Sequence, residues 1–480
     1  MINQEMKKDA NLSSSPSGRL GGAFTKYYFL GIGGIGMSAL ARYFHTKGFQ
    51  VAGYDRTETK LTKELQAEGI TVSFNENVSE IPFVYTKPEN TLVVLTPAIP
   101  ANHPQLKYFQ ANNYSIQKRA QVLGDITRQS KGICIAGTHG KTTTSTIAAH
   151  LLYQSQVSCN AFLGGIANNY NTNLLLSAES NLVVIEADEY DRSFHQLSPY
   201  MAVITSADPD HLDIYETADA FRESFEHFTS LIRPGGALVM RKGIDIVPQL
   251  QKGVKLYTYS MNDGGDFTAE NIRTVNGEIH FDFVTPNDRL SDVRLGVPVQ
   301  INVENSVAAM ALAWLNGVSF DELRTGISSF SGIYRRFNVV YKSDKIVYMD
   351  DYAHHPSELK ASIASIRNLY PNRKITGIFQ PHLYTRTRDF ATAFAEALSQ
   401  LDELILLDIY PARELPIEGV DSDLILRDVK LKNKTLCSKE NLLPLLKEKD
   451  LDVLVTFGAG DIDKMVPLIR EQLKKSASTI

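Results

Sequence analysis

The residues best equipped for chemistry are Gly137-Thr138-His139-Gly140-Lys141-Thr142-Thr143-Thr144, placed directly after the apolar run 133–136 and before an apolar, Ala-rich segment. A strand that turns through glycines into a helix aims unpaired backbone N–H groups at one point, where a lysine adds charge and a hydroxyl can reach Mg²⁺. That is the chemistry of a phosphate cradle. The general triphosphate pattern asks for a glycine where Ile135 stands, so only its G-K-T half is matched. A plain packing turn would account for the glycines but not for Lys-Thr directly at the turn, so the spacing predicts use of a nucleoside triphosphate.

Acids and a histidine follow at the ends of two apolar runs. One run closes on Glu186-Ala187-Asp188-Glu189-Tyr190-Asp191, and the next leads into Asp208-Pro209-Asp210-His211-Leu212-Asp213. If both runs are parallel strands beside the one before the cradle, these groups reach the same sheet edge as Lys141. Mg²⁺ prefers oxygen ligands and keeps waters, so one or two protein ligands beside phosphates suffice.

A second glycine turn, Gly31-Ile32-Gly33-Gly34-Ile35-Gly36, has the G-x-G-x-x-G spacing at Gly31, Gly33 and Gly36 with an acid, Asp55, about 20 residues further on. It predicts a phosphate-bearing ligand on a helix N-terminus without saying which, and tight strand–helix packing would give the same glycines. The rigid Thr96-Pro97-Ala98-Ile99-Pro100 falls at the same kind of edge. Near the C-terminus three more apolar runs end in Asp350-Asp351-Tyr352-Ala353-His354-His355-Pro356, in Gln380-Pro381-His382-Leu383-Tyr384-Thr385-Arg386-Thr387-Arg388 and in Gly458-Ala459-Gly460-Asp461. Either histidine cluster alone is compatible with structural hydrogen bonding; together they have the makings of an α/β active site.

Elements must carry these groups. Strands are predicted at 26–30, 49–54, 91–95, 133–136, 181–185, 201–205, 345–349, 374–379 and 453–457, with helices over 37–47, around 321–326 and from Pro356 onward. The segment 264–297 alternates like short strands joined by turns. The pattern is α/β throughout, with at least two open sheets.

A chain of 480 residues exceeds one core and predicts about three domains. A net charge of −5 with interspersed signs offers no basic face, which argues against nucleic acid. Cys134, Cys159 and Cys437 are far apart and read as reduced thiols of a cytoplasmic protein. No export signal or membrane span is read, and the polar leader is predicted to be a loose tail.

With these motifs in this order, the chain closely resembles the Mur ligases, the ATP-dependent amino-acid ligases of peptidoglycan synthesis, from about Lys26 to its last helix. The family's G-T-x-G-K-T-T form accounts for Ile135. The resemblance implies a flexible tail at 1–25, a Rossmann-like domain at 26–125 holding a UDP-sugar, a central P-loop ATPase-like domain at 126–331 holding ATP and Mg²⁺, with two ions expected, and a Rossmann-like domain at 332–480 bringing the amino acid. The Gly-Ile-Gly-Gly-Ile-Gly-Met-Ser-Ala-Leu-Ala opening resembles that of members joining L-alanine to UDP-N-acetylmuramate, rather than those recycling a murein tripeptide onto the same sugar nucleotide. Carried over by position, Gly31, Gly33, Gly34, Ile35, Gly36, Asp55, Thr96, Pro97 and Ala98 would hold the UDP-sugar. Residues Gly137, Thr138, His139, Gly140, Lys141, Thr142, Thr143, Asn302, Asn305, Arg336 and Asp351 would hold ATP. Thr142, Glu186 and His211 would face the metal, and Tyr352, His382 and Arg386 the amino acid, with Lys141, Glu186, His211 and Arg386 as the catalytic set. Two positions depart from the family: Leu383 stands where many relatives have arginine, and no lysine occurs between His211 and Arg241 to be carbamylated, leaving Glu226 as a substitute negative charge.

Overall fold

A computed structural model describes residues 24–477 apart from 211, 276–277 and 413. The expected tail up to residue 23, and His211, lie outside the described residues. Three sheets organise the rest, of five, ten and six strands in chain order.

The first sheet is wholly parallel and runs Thr71–Ser73, Gln50–Tyr54, Lys26–Leu30, Thr91–Leu95, Ser115–Lys118. Its middle strands are apolar on both faces because helices cover both, as parallel sheets require. Chain order reverses between Lys26–Leu30 and Thr91–Leu95, so the Gly31 turn and the Thr96 turn open side by side at the switch point, where such sheets bind ligands.

In the second sheet Lys131–Ala136 lies between Leu182–Glu186 and Met201–Ile204, all parallel, as the motif reading requires. The alternating segment forms three strands, Phe267–Val275, Glu278–Val284 and Arg289–Arg294, paired antiparallel at one edge. The third sheet pairs Val347–Asp351 with Val453–Phe457, then Ile375–Phe379, all parallel.

One expectation shifts here. The strand predicted at 345–349 runs instead over Val347–Asp351, so Asp350 and Asp351 belong to the ladder rather than to the loop after it. Buried acids fit a strand only when partnered. Asp350 accepts from Arg335 Nε at 3.3 Å and Thr456 Oγ1 at 2.7 Å; Asp351 accepts from Ser362 Oγ at 2.5 Å and the Phe337 amide at 3.3 Å.

One apolar core spans the first two sheets, joining Tyr27, Phe29 and Met37 with Phe162, Leu174 and Ile185. The third sheet has separate cores on its two faces. Among the described residues no helix is long and apolar enough to cross a membrane.

Candidate active site

The cradle is shaped by its glycines. Gly137 and Gly140 take φ of 142° and 81°, and a Cβ on Gly137 would overlap the Thr205 hydroxyl that donates to His139 O at 2.5 Å. The loop is tied to the next strand end by His139 N to Ser206 Oγ, 2.8 Å, and Thr138 Oγ1 to Asp208 O, 2.7 Å. The helix Lys141–Gln154 begins at Gly140 with no side-chain cap, which leaves its first-turn amides to an anion. Asn305, on the helix Gln300–Leu315, packs beneath the loop: Thr144 Oγ1 donates to its Oδ1 at 3.3 Å, and its amide donates to Asn302 Oδ1 at 3.3 Å.

Lys141 Nζ donates to Gly137 O at 2.6 Å and to Glu189 Oε1 at 2.8 Å. Burial alone would favour the neutral amine, but Glu189 and Glu186 hold the ammonium protonated. Burial also lifts the Glu189 carboxyl above its usual range, against the pull of Lys141. Glu189 belongs to the same acidic run as Glu186, and residue type alone does not tell the two apart.

The Glu186 carboxylate lies over the glycine pair 164–165: a Cβ on Gly164 would overlap it, and one on Gly165 would come 3.5 Å from the Thr142 methyl. Glu186 Oε2 is buried and finds no hydrogen-bond partner among the described residues. An orphaned carboxylate oxygen near a threonine is an oxygen donor set that fits Mg²⁺, which asks for few protein ligands. No group of three or more His, Cys, Asp or Glu among the described residues could hold a metal alone. Glu226, the suggested substitute charge, instead accepts from the Val247 amide at 2.9 Å.

A cavity of about 390 Å³ joins this corner to the first sheet, lined by Gly34, Ile35, Gly36, Thr96, Pro97 and Ala98 on one side and by Gly164, Glu186 and Asp188 on the other. Gly31, Gly33 and Asp55 act behind it. Gly31 has φ 87° and a Cβ there would come 2.5 Å from Thr96 Cγ2, while the Gly33 amide donates to Asp55 Oδ2 at 2.7 Å and so fixes the turn. Lys118 and Arg119 also line the cavity, and Arg119 lies where a Cβ on Gly36 would be. A guanidinium over a helix N-terminus is an anion site. The signal for the pair was a basic dipeptide at the end of the strand Ser115–Lys118, legible only once that strand was recognised.

The third sheet gathers its groups at the ends of Val347–Asp351 and Ile375–Phe379. Tyr352 packs edge-on to His354 at 5.2 Å, His354 to His382 at 6.2 Å, and His382 stacks on Tyr410 at 5.8 Å. The Arg336 guanidinium lies 5.1 Å from the Tyr352 ring centroid. Glu358 accepts from the His354 amide at 3.0 Å and faces its ring at 3.3 Å. Burial lowers both His354 and His355 despite Glu358, and Arg386 adds to this; His139 and Asp210 of the central sheet also act on His355. His355 therefore lies within electrostatic reach of His139 in the cradle. Leu383, with φ 71°, starts the helix Tyr384–Leu398 and donates its amide to Tyr410 O at 3.0 Å.

Known proteins are similar to this chain in sequence and fold. Family models match in sequence: "Mur ligase family, catalytic domain" over 26–131, "Mur ligase middle domain" over 135–313 and "Mur ligase, glutamate ligase domain" over 335–460. The UDP-N-acetylmuramate–L-alanine ligase of Parabacteroides distasonis is 59% identical over 94% of this chain and 98% of its own length. That of Phocaeicola vulgatus is 58% identical over 93% and 98%. The crystal structure of the UDP-N-acetylmuramate–alanine ligase from Thermotoga maritima superimposes with a TM-score of 0.80 at 27% identity, covering 94% of this chain and 99% of that one. A murein peptide ligase from Psychrobacter arcticus shares the fold, with a TM-score of 0.67 at 21% identity over 94% and 98%. With all three family models matched in order and relatives this similar along nearly the whole chain, the protein belongs to the Mur ligase family.

Proposed function

We propose that this protein joins L-alanine to the lactyl carboxylate of UDP-N-acetylmuramate, driven by ATP, as an early step of peptidoglycan precursor synthesis in the cytoplasm. The observation that carries the reading is the cavity running from the Gly34–Gly36 turn and Arg119 to Gly164 and Glu186, beside which a Cβ on Gly165 would come 3.5 Å from Thr142 of the cradle. A sugar nucleotide anchored by its diphosphate at the turn would extend its carboxylate toward the phosphate cradle. The curated relatives at 56–59% identity bear the alanine-adding name, which supports alanine over a tripeptide as the acceptor's partner.

Amide formation from a carboxylate needs a leaving group better than oxide, and phosphorylation by ATP supplies one as an acyl phosphate. Lys141 and the Gly140–Thr142 amides would bear the charge developing on the transferred phosphoryl group. Glu186 and Thr142, with His211, are the residues that would hold Mg²⁺; when bound, the ion, or a pair of ions, neutralises phosphate oxygens. Asn302, Asn305, Arg336 and Asp351 would surround the remainder of the nucleotide. Tyr352, His382 and Arg386 would position the alanine, Arg386 by pairing with its carboxylate. Approach of the C-terminal sheet excludes water that would hydrolyse the acyl phosphate.

Phosphate release measured with ATP, Mg²⁺ and UDP-N-acetylmuramate tests the reading by comparing L-alanine with the murein tripeptide. Release with alanine is expected. Release with tripeptide alone would replace the reading by the recycling reaction, and release with neither would remove ligase activity altogether.

A further inference from the structure

The turn at 188–192 touches both halves of the site. On the cavity side Asp188 Oδ2 pairs with Arg119 at 3.2 Å and Asp191 Oδ2 with Lys118 at 2.7 Å. On the cradle side Glu189, between them and 2% exposed, pairs with Lys141 at 2.7 Å. The Glu189 carbonyl is itself fixed, accepting from Tyr215 Oη at 2.5 Å and from the Arg192 amide at 3.0 Å.

This turn is strained. Asp191 and Arg192 have φ of 53° and 52°, in the left-handed region that residues with a Cβ rarely adopt in succession. Its neighbours hold it there: Lys118 by the ion pair, and Tyr215 by its ring, 4.8 Å from the Arg192 guanidinium. An anion entering between Lys118 and Arg119 competes with Asp188 and Asp191 for those cations. A phosphate entering the cradle competes with Glu189 for Lys141. Since one short strained turn carries all three acids, the ligand that loosens it first makes the second exchange easier, which is positive coupling between the two sites.

Resting on the assignment of the cavity to UDP-N-acetylmuramate and of the cradle to ATP, we propose that Glu189 is a positioning residue for Lys141 and that its turn couples occupancy of the cavity to occupancy of the cradle. Glu189 holds the ammonium against the loop until phosphate oxygens replace the carboxylate, so the charge is delivered from one fixed place.

Calorimetric titration of the full chain with a non-hydrolysable ATP analogue and Mg²⁺, with and without UDP-N-acetylmuramate, reads the coupling directly. In the unaltered protein the sugar nucleotide is expected to tighten analogue binding about fivefold or more. In Glu189→Gln the analogue alone should bind more tightly than in the unaltered protein, and the coupling should fall below about twofold. The same variant should lower kcat without raising KM for ATP, a split that general loss of structure would not produce. Asp191→Asn, at the exposed end of the turn, should reduce the coupling by itself and decides the matter if Glu189→Gln does not fold. Coupling absent from the unaltered protein, or equal in it and the folded variants, overturns the proposal. Absence of turnover by the unaltered protein with alanine overturns the functional reading instead.

Discussion

At the scale of single residues the cradle works through one ammonium with few places to go. Lys141 is confined by Gly137 O and Glu189, and the first-turn amides beside it carry no side-chain cap. Removing it in Lys141→Ala leaves the helix intact, since alanine is the best helix former, while taking away the charge that the phosphoryl group needs. Turnover should fall roughly 10²-fold or more in a protein that still folds by circular dichroism, although the buried Glu189 loses Lys141 as its partner and the unfolding midpoint drops; near-normal turnover would refute the role. Gly164 tests the metal corner from the other side. Its missing Cβ is the room the Glu186 carboxylate occupies, so Gly164→Ala must displace that carboxylate. The Mg²⁺ concentration giving half-maximal turnover should rise about tenfold or more, as when a supporting group of a metal site is disturbed. An unchanged Mg²⁺ titration would show that Glu186 does not face the ion.

At the scale of elements, the helix Lys141–Gln154 is anchored by His150, whose Nδ1 meets Tyr170 Oη at 2.7 Å and whose Nε2 meets Gly326 O at 3.0 Å. Burial lowers His150 to about 4, although the carbonyl of Gly326 opposes the shift. In the unfolded chain histidine takes its proton near pH 6.5, so stability is fully present above that pH and declines as the pH falls toward 4. Urea unfolding at pH 7 and pH 4.5 should show acidification costing the unaltered protein roughly 2–3 kcal/mol more than His150→Gln. Equal losses would place the proton elsewhere. The same elements show how far sequence reaches. The turns at Gly31 and Gly137 were legible because a φ of 87° or 142° calls for glycine, and the buried parallel strands because both faces are apolar. Arg119 was not, since its place over Gly36 depends on how two distant strands pair. Asp350 and Asp351 looked like loop residues because the hydroxyls of Thr456 and Ser362 that let acids enter a strand come from other elements. Glu189 was hidden among similar acids, because the left-handed residues after it, neither of them glycine, determine which acid turns toward Lys141.

At the scale of the whole molecule, the distribution of cores determines which parts move together. The first and second sheets share an apolar core, with Tyr43 and Phe162 5.2 Å apart across the junction, whereas the cores of the third sheet are its own. The cavity and the cradle therefore belong to one body, and the histidines of the third sheet to another. Arg42 pins that body: its Nε donates to Glu68 at 2.8 Å and its guanidinium to Asn173 Oδ1 at 2.7 Å, while the Asn173 amide donates to Ile35 O at 2.6 Å, at the start of the helix behind the Gly31–Gly36 turn. Arg42→Ala strands the Asn173 acceptor in a buried place and frees Glu68 to water, so the loss should be that of a charged hydrogen-bonded group, about 2 kcal/mol. Because the core is continuous, peptide-resolved hydrogen exchange in urea should show that loss equally in the segments 26–131 and 135–313, with the exchange of 335–460 unchanged. Loss confined to the first segment would mean that the two sheets unfold separately, and the cavity between them would then have to be assembled on binding rather than held ready.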